Sequence, residues 1–230
     1  MKKMIIPFVC AALFATPLAA QQTTAAASVK TEAKVSKLTP KEVIDNYLKA
    51  LGGKEKLESV KSVIIDNTIS AQGMELSSVT KQMGNKFKSE QSMMGQKVSQ
   101  VFFDGEKGYI EQMGQKNDFP ADKIADMKKA KIIEALGFDA SSFKSVTVEK
   151  IDGKDYNVLT SDKGKFYFDA ATGLLYKSSA AETSTVIKSY LTVDGIKFPE
   201  MIEAEGRGQQ LTVKTNKVTV NSGVTDADFK

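Results

Sequence analysis

The chain has 230 residues, 41% of them hydrophobic, a formal charge of +4 and no histidine. That length suits one domain or two. Without histidine no Ser-His-Asp or Cys-His constellation can be built, and with Cys10 as the one cysteine the usual zinc and iron ligand sets are excluded as well. Arg207 is the one arginine among 32 basic residues, so planar bidentate recognition of phosphate or carboxylate has little to work with. A charge this close to neutral does not indicate a nucleic-acid partner.

In chain order, residues 1–20 read as a secretory signal peptide. Lys2 and Lys3 form the positive start, Ile5 to Leu18 the apolar run, and Ala19-Ala20 the small-residue site before Gln21. The apolar run is too short to span a membrane comfortably, so the expected product is exported and not membrane-spanning. Cleavage removes Cys10, so no disulfide is expected, although the compartment permits one. It also removes Lys2 and Lys3, lowering the formal charge of +4 by two. Residues 21–38 are rich in Ala, Thr, Ser and Lys, lack aromatics and show no period. They read as a disordered linker, leaving 39–230 as a single domain.

Thr39-Pro40-Lys41-Glu42 opens a helix, with Thr39 as cap, Pro40 in the first turn and Glu42 three residues on. Val43, Ile44, Tyr47, Leu48 and Leu51 recur at helical spacing, and Gly52-Gly53 ends the run. A short helix over 54–60 follows, with Leu57 and Val60 inward. From Lys61 the period becomes two. Strands are expected at 62–70, 74–82, 86–94, 97–103 and 108–113, and again at 145–150, 155–160, 165–169, 174–178, 183–193, 197–205 and 209–220. Asp104-Gly105, Asp152-Gly153 and Asp194-Gly195 are Asp-Gly pairs between apolar runs and predict tight antiparallel hairpins. Between the two sets of strands, Pro120 to Leu136 predicts one long helix with a ragged apolar arc, into which Lys128 and Lys131 intrude.

One strand alternates cleanly, with Phe87, Ser89, Gln91 and Met93 on one side and Lys88, Glu90 and Ser92 on the other. Other strands are apolar on both sides, at Ile64 and Ile65, Phe102 and Phe103, and Phe166 to Phe168. Three helices can cover one face of such a sheet, not two. The second apolar face must be closed by the sheet itself, a partner or a ligand. Met74, Met83, Met93, Met94 and Met113 fall in the first set of strands and suit an adaptable apolar surface or plain filling.

The sequence contains no GxSxG, GxxxxGK or GxGxxG. Ser141 to Lys144 matches S-x-x-K without its companion motifs, and Asp226-Ala227-Asp228 offers two oxygens to calcium without further loop ligands. The reading is non-enzymatic, with no catalytic residues, no metal and no cofactor.

The segments FDGEKGY (103–109), IDGKDYNV (151–158), FYFDAATGLLYK (166–177), YLTVDGIKFPEMIE (190–203) and VTVNSGVTDADFK (218–230) follow one another in an order that resembles LolA-like outer-membrane lipoprotein-sorting proteins of the Bacteroidetes type. A similar segment also occurs attached to exported insulinase-type zinc peptidases, whose HxxEH is missing here. The resemblance covers the chain from about Thr39 to its end. It implies an α+β fold, mostly antiparallel β: an incomplete, open β-barrel or strongly curved sheet with a helical lid, LolA/LolB-like. It also implies a cavity for lipoprotein acyl chains. Carriers of this kind use an arginine near the cavity, and Arg207, in GRGQ, matches no such position. The expected apolar lining is Ile65, Phe87, Met93, Phe102, Ile124 and Met127. The expected protein is a monomeric periplasmic carrier of acyl chains or another apolar ligand. The alternative is a non-catalytic interaction module that serves an exported peptidase or an outer-membrane assembly.

Overall fold

The computed structural model describes residues 34–230. The expected signal peptide, Cys10 and the linker up to 33 lie outside the described residues. The fold begins before position 39: strand β1 (Lys34–Val35) pairs with Thr147 and Val148, and the Ser36 hydroxyl donates to Asn157 Oδ1 at 3.0 Å. The helical opening follows as expected. In helix α1 (Pro40–Leu51) the Thr39 and Glu42 side chains cap each other's backbone N–H groups. Helix α2 (Lys54–Glu58) comes next and buries Leu57.

The rest is one sheet. Its strands are β2 (Ser62–Ala71), β3 (Met74–Met83), β4 (Lys86–Met93), β5 (Gln96–Phe103), β6 (Gly108–Gln112), β7 (Gln115–Asp118), β8 (Ser145–Ile151), β9 (Lys154–Ser161), β10 (Gly164–Asp169), β11 (Leu175–Ala180), β12 (Thr183–Val193), β13 (Ile196–Gly206) and β14 (Gln209–Val220). They lie in the order β1-β8-β9-β10-β11-β12-β13-β14-β2-β3-β4-β5-β6-β7, and each neighbouring pair is antiparallel. The one long rearrangement places β14, last in sequence, beside β2. The sheet does not close: β1 and β7 are its two edges. Register shifts near Gln91, Ser189 and Thr215 mark bulges, which increase local twist and bend the strands.

Asp152-Gly153 and Asp194-Gly195 form the expected two-residue turns, with both φ values positive in each. Asp104-Gly105 does not. There the loop takes four residues, because the Asp104 carboxylate accepts the backbone N–H groups of Glu106 and Lys107, both at 2.7 Å. Those bonds hold its carboxyl below the usual aspartate range.

The expected helix over 120–136 is corrected. Helix α3 covers Ala121–Met127, and the chain then leaves helical geometry through i→i+3 bonds from Lys129 to Asp126 and from Ala130 to Met127. Short 3-10 turns follow at Glu134–Gly137 and Ala140–Ser142. A straight helix over the whole stretch would run about 25 Å with Lys128 and Lys131 on its buried arc. Breaking it frees Lys128 to pair with Glu106 and lets Ile133 and Ala135 enter the main core. That core joins α1 and α2 to Val146, Leu159, Phe166, Phe168, Ile196 and Phe198 of the sheet. Burial of these groups outweighs the local helical preference.

Candidate functional site: the inner face of the open sheet

The helices define the inner face, since Val63, Phe166, Phe168 and Phe198 pack beneath α1. Side chains alternate along a strand, so the register carries this face outward from β2. Val63 pairs with Gln82, Gln82 with Phe87, and Phe87 with Phe103, which gives one row. Ile65, Thr80, Ser89, Val101 and Ile110 form the next. Toward the far rim, Ile69, Leu76 and Val213 lie together, then Ala71, Met74 and Leu211. Over β8–β13 the inner face is roofed by the helices. Across β3–β6 it is more open: Thr80, Phe87, Ser89 and Ile110 are all half-buried.

The strands that are apolar on both sides have local explanations. Tyr167 points outward, into a small cluster with Tyr156 and Val158. Tyr156 stacks on Tyr176 there, with ring centroids 4.8 Å apart. Ile64 meets the C-terminal tail at Gly223. Phe102 stacks on Tyr109 at 5.2 Å. The sheet's own aromatic pairs and its tail thus cover part of the outward apolar surface.

Of the six expected lining residues, Ile65 and Phe87 share the inner face, and Met93 follows on the same face by alternation at the exposed rim. Phe102 is corrected to the outer face: it pairs with Lys88 and Tyr109, one residue out of phase with Phe103. Ile124 and Met127 belong to α3, where Ile124 is half-buried and Met127 buried. Helix α3 starts on the inner side, because the ring of Phe119 rests against Gly108 and Phe103. A cleft of about 720 Å³ lies elsewhere, between α1, α2 and the segment 128–140. Its polar rim is largely occupied by ion pairs, Lys41 with Asp45 and Lys54 with Glu58. None of the six expected residues lines it.

Two polar features were not expected from the sequence. Tyr190 on β12 donates to the Leu175 carbonyl at 2.6 Å, with the Tyr47 side chain of α1 nearby. Near Tyr47 lies Glu134. Its side chain is open to water, but protein crowds it closely and it has no ion-pair or hydrogen-bond partner among the described residues. The surrounding protein raises its carboxyl above the usual glutamate range, an effect that water on its open side weakens. The same crowding raises Tyr47 well above the ordinary phenol range. Because the folded value for Glu134 exceeds the unfolded one, the fold holds an extra proton between the two. Its contribution to stability is therefore intact below about pH 4.5 and is lost as pH rises above that value, by a small amount because the carboxylate is open to water. The melting temperature of Glu134→Gln relative to wild type is expected to climb between pH 5 and pH 8. A difference that stays constant over that range contradicts this assignment.

Among the described residues no group of three His, Cys, Asp or Glu side chains could hold a metal ion. Asp226 and Asp228 are instead paired with Lys86 and Lys81. No helix of the described residues is long and apolar enough to cross a membrane.

No family model and no curated protein matches the sequence. Solved structures do share the fold. A DUF1329-family protein from Desulfovibrio piger superposes with a TM-score of 0.55 at 13% identity, covering 84% of this chain and 98% of that one. A putative outer membrane lipoprotein-sorting protein domain from Vibrio parahaemolyticus gives 0.56 at 10% identity, covering 83% and 97%. A LolA superfamily protein from Nitrosomonas europaea gives 0.53 at 10% identity, covering 84% and 98%. The fold is therefore LolA-like: a mostly antiparallel 14-stranded sheet, not closed into a barrel, with a few helices on one face.

Proposed function

We propose that the protein is an exported, periplasmic carrier that holds the acyl chain of a lipoprotein, or another apolar chain, on the inner face of its sheet without transforming it. The observation that carries this reading is the LolA-like open sheet whose inner face continues past the helices across β3–β6. Ile65, Phe87 and Met93 would form the floor, with Ile124 and Met127 above them on α3. Phe102 takes no part. The protein works as a monomer in this reading and needs no cofactor.

Purification from its own host followed by native mass spectrometry tests the proposal. The expected result is a population heavier than the processed chain by the mass of an amphiphile, released by organic solvent. A second reading is an interaction module for an outer-membrane or peptidase assembly. It is favoured by Met74, Met94 and Met113, which stand 53%, 97% and 93% exposed at hairpins on one end of the sheet. Stoichiometric protein and no amphiphile in the same spectrum would replace the carrier reading with this one.

A further inference from the structure

One row of the inner face is polar throughout. Thr215 pairs with Asn67, Asn67 with Ser78, Ser78 with Gln91, Gln91 with Ser99, and Ser99 with Gln112. The row crosses six adjacent strands, β14 to β6, without a charge or an apolar residue. On one side, about 7 Å toward the rim, lie Ile69, Leu76 and Val213; on the other the next row is mixed, Ile65, Thr80, Ser89, Val101 and Ile110, with Phe87 and Phe103 beyond it. A sheet face built only as core would bury apolar side chains here.

The row's hydrogen-bonding capacity is also mostly unspent. Thr215 donates to the Pro199 carbonyl at 2.9 Å. The side chains of Asn67, Ser78, Gln91, Ser99 and Gln112 make no hydrogen bond among the described residues. Asn67 is 7% exposed, and its Oδ1 is buried with no partner among the described residues. A buried acceptor left unpaired costs free energy unless something donates to it. Gln91, Ser99 and Gln112 are half-buried, so the β4–β6 end of the row is reachable from the open side.

We infer that this row binds a neutral hydrogen-bonding group of the ligand, an amide, ester or hydroxyl, that sits between two apolar segments. The inference rests on the carrier reading and names the chemistry its ligand must have. Gln and Asn amides and Ser hydroxyls both donate and accept, so they match a neutral linkage better than a charged head. Ile69, Leu76 and Val213 on one side, and Ile65, Val101 and Ile110 on the other, then take the chain on each side of that linkage.

Two isomeric amides test it. In hexadecanamide the amide is at the chain end, and in N-octyloctanamide it is in the middle. Displacement of a bound acyl dye by each is measured on the processed protein. The central amide is expected to bind about tenfold more tightly, the factor that one or two net hydrogen bonds provide. Gln91→Leu combined with Ser99→Ala should bring the two isomers level without weakening the terminal amide. Asn67→Leu is the second variant, read the same way, with circular dichroism confirming the fold of each. Equal binding of the isomers to wild type, or a preference that survives in both folded variants, overturns the inference and leaves the carrier reading standing. If neither isomer displaces the dye and the dye itself does not bind, the carrier reading falls with it.

Discussion

Phe168→Ala should lower stability by about 3–5 kcal/mol, the range found when a large buried aromatic is truncated and its cavity does not collapse. Phe168 is 1% exposed. Its ring meets Tyr47 edge-on at 5.2 Å and Phe138 at 6.2 Å, so it joins β10 to both α1 and the segment after α3. Losing it removes the contact that holds the helical roof to the sheet, not only apolar area. The cost is a large share of the roughly 5–15 kcal/mol that a domain of this kind has in total. Urea unfolding reads it directly as a drop in midpoint at constant slope. Phe102→Ala, on the outer face, should cost on the order of 1 kcal/mol. Equal losses at the two positions would contradict the assignment of faces.

Gly52→Val should be comparably damaging, for a different reason. Gly52 follows the last residue of α1 with φ +134°, a conformation that side chains with a Cβ rarely adopt. A Cβ there would also lie 2.5 Å from the carbonyl oxygen of Gly195 and 3.3 Å from Ile196 Cα. Both are backbone atoms of the tight Asp194-Gly195 hairpin and cannot rotate away. Strain and overlap together should cost about 3 kcal/mol or more, or push α1 off the β12–β13 hairpin. Gly53→Ala separates the two causes. Gly53 has φ +95° but no atom within 4 Å of the added carbon, so only the strain remains and the cost should be clearly smaller. A thermal melt that ranks Gly53→Ala at or above Gly52→Val would show that the close approach is not what matters.

Both sites lie where the sequence was most legible. The cap at Thr39, the Gly-Gly stop after α1 and most of the hairpin map follow from local chemistry, and the structure keeps them. Legibility failed where tertiary burial decides. The stretch 120–136 has helical composition throughout, but Ile133 and Ala135 gain more from entering the core than the backbone gains from continuing α3. Four further turns, Gln72-Gly73, Met94-Gly95, Met113-Gly114 and Arg207-Gly208, use a residue other than Asp before glycine and so carry a weaker signal. Strand β7 is short, exposed and polar, and nothing in its residues announces a strand.

The site was harder still. The alternation Phe87, Ser89, Gln91, Met93 was visible as a pattern. Reading it as part of a polar row needs the pairing partners Ser78 and Ser99, which come from strands the local sequence does not align. Phe102 and Phe103 could be placed on opposite faces from sequence. Which one faced inward required the register that sets Phe103 against Phe87.

The central claim is that an apolar chain lies on the inner face, and its most direct test is affinity against chain length. Each buried methylene is worth roughly 0.8 kcal/mol, about fourfold in binding. Titration of the processed protein with saturated fatty acids from eight to sixteen carbons should therefore give dissociation constants that fall steadily, by at least a hundredfold over the series after ordering costs. The longest acids should reach micromolar or better. Affinity that is flat across the series would contradict the account.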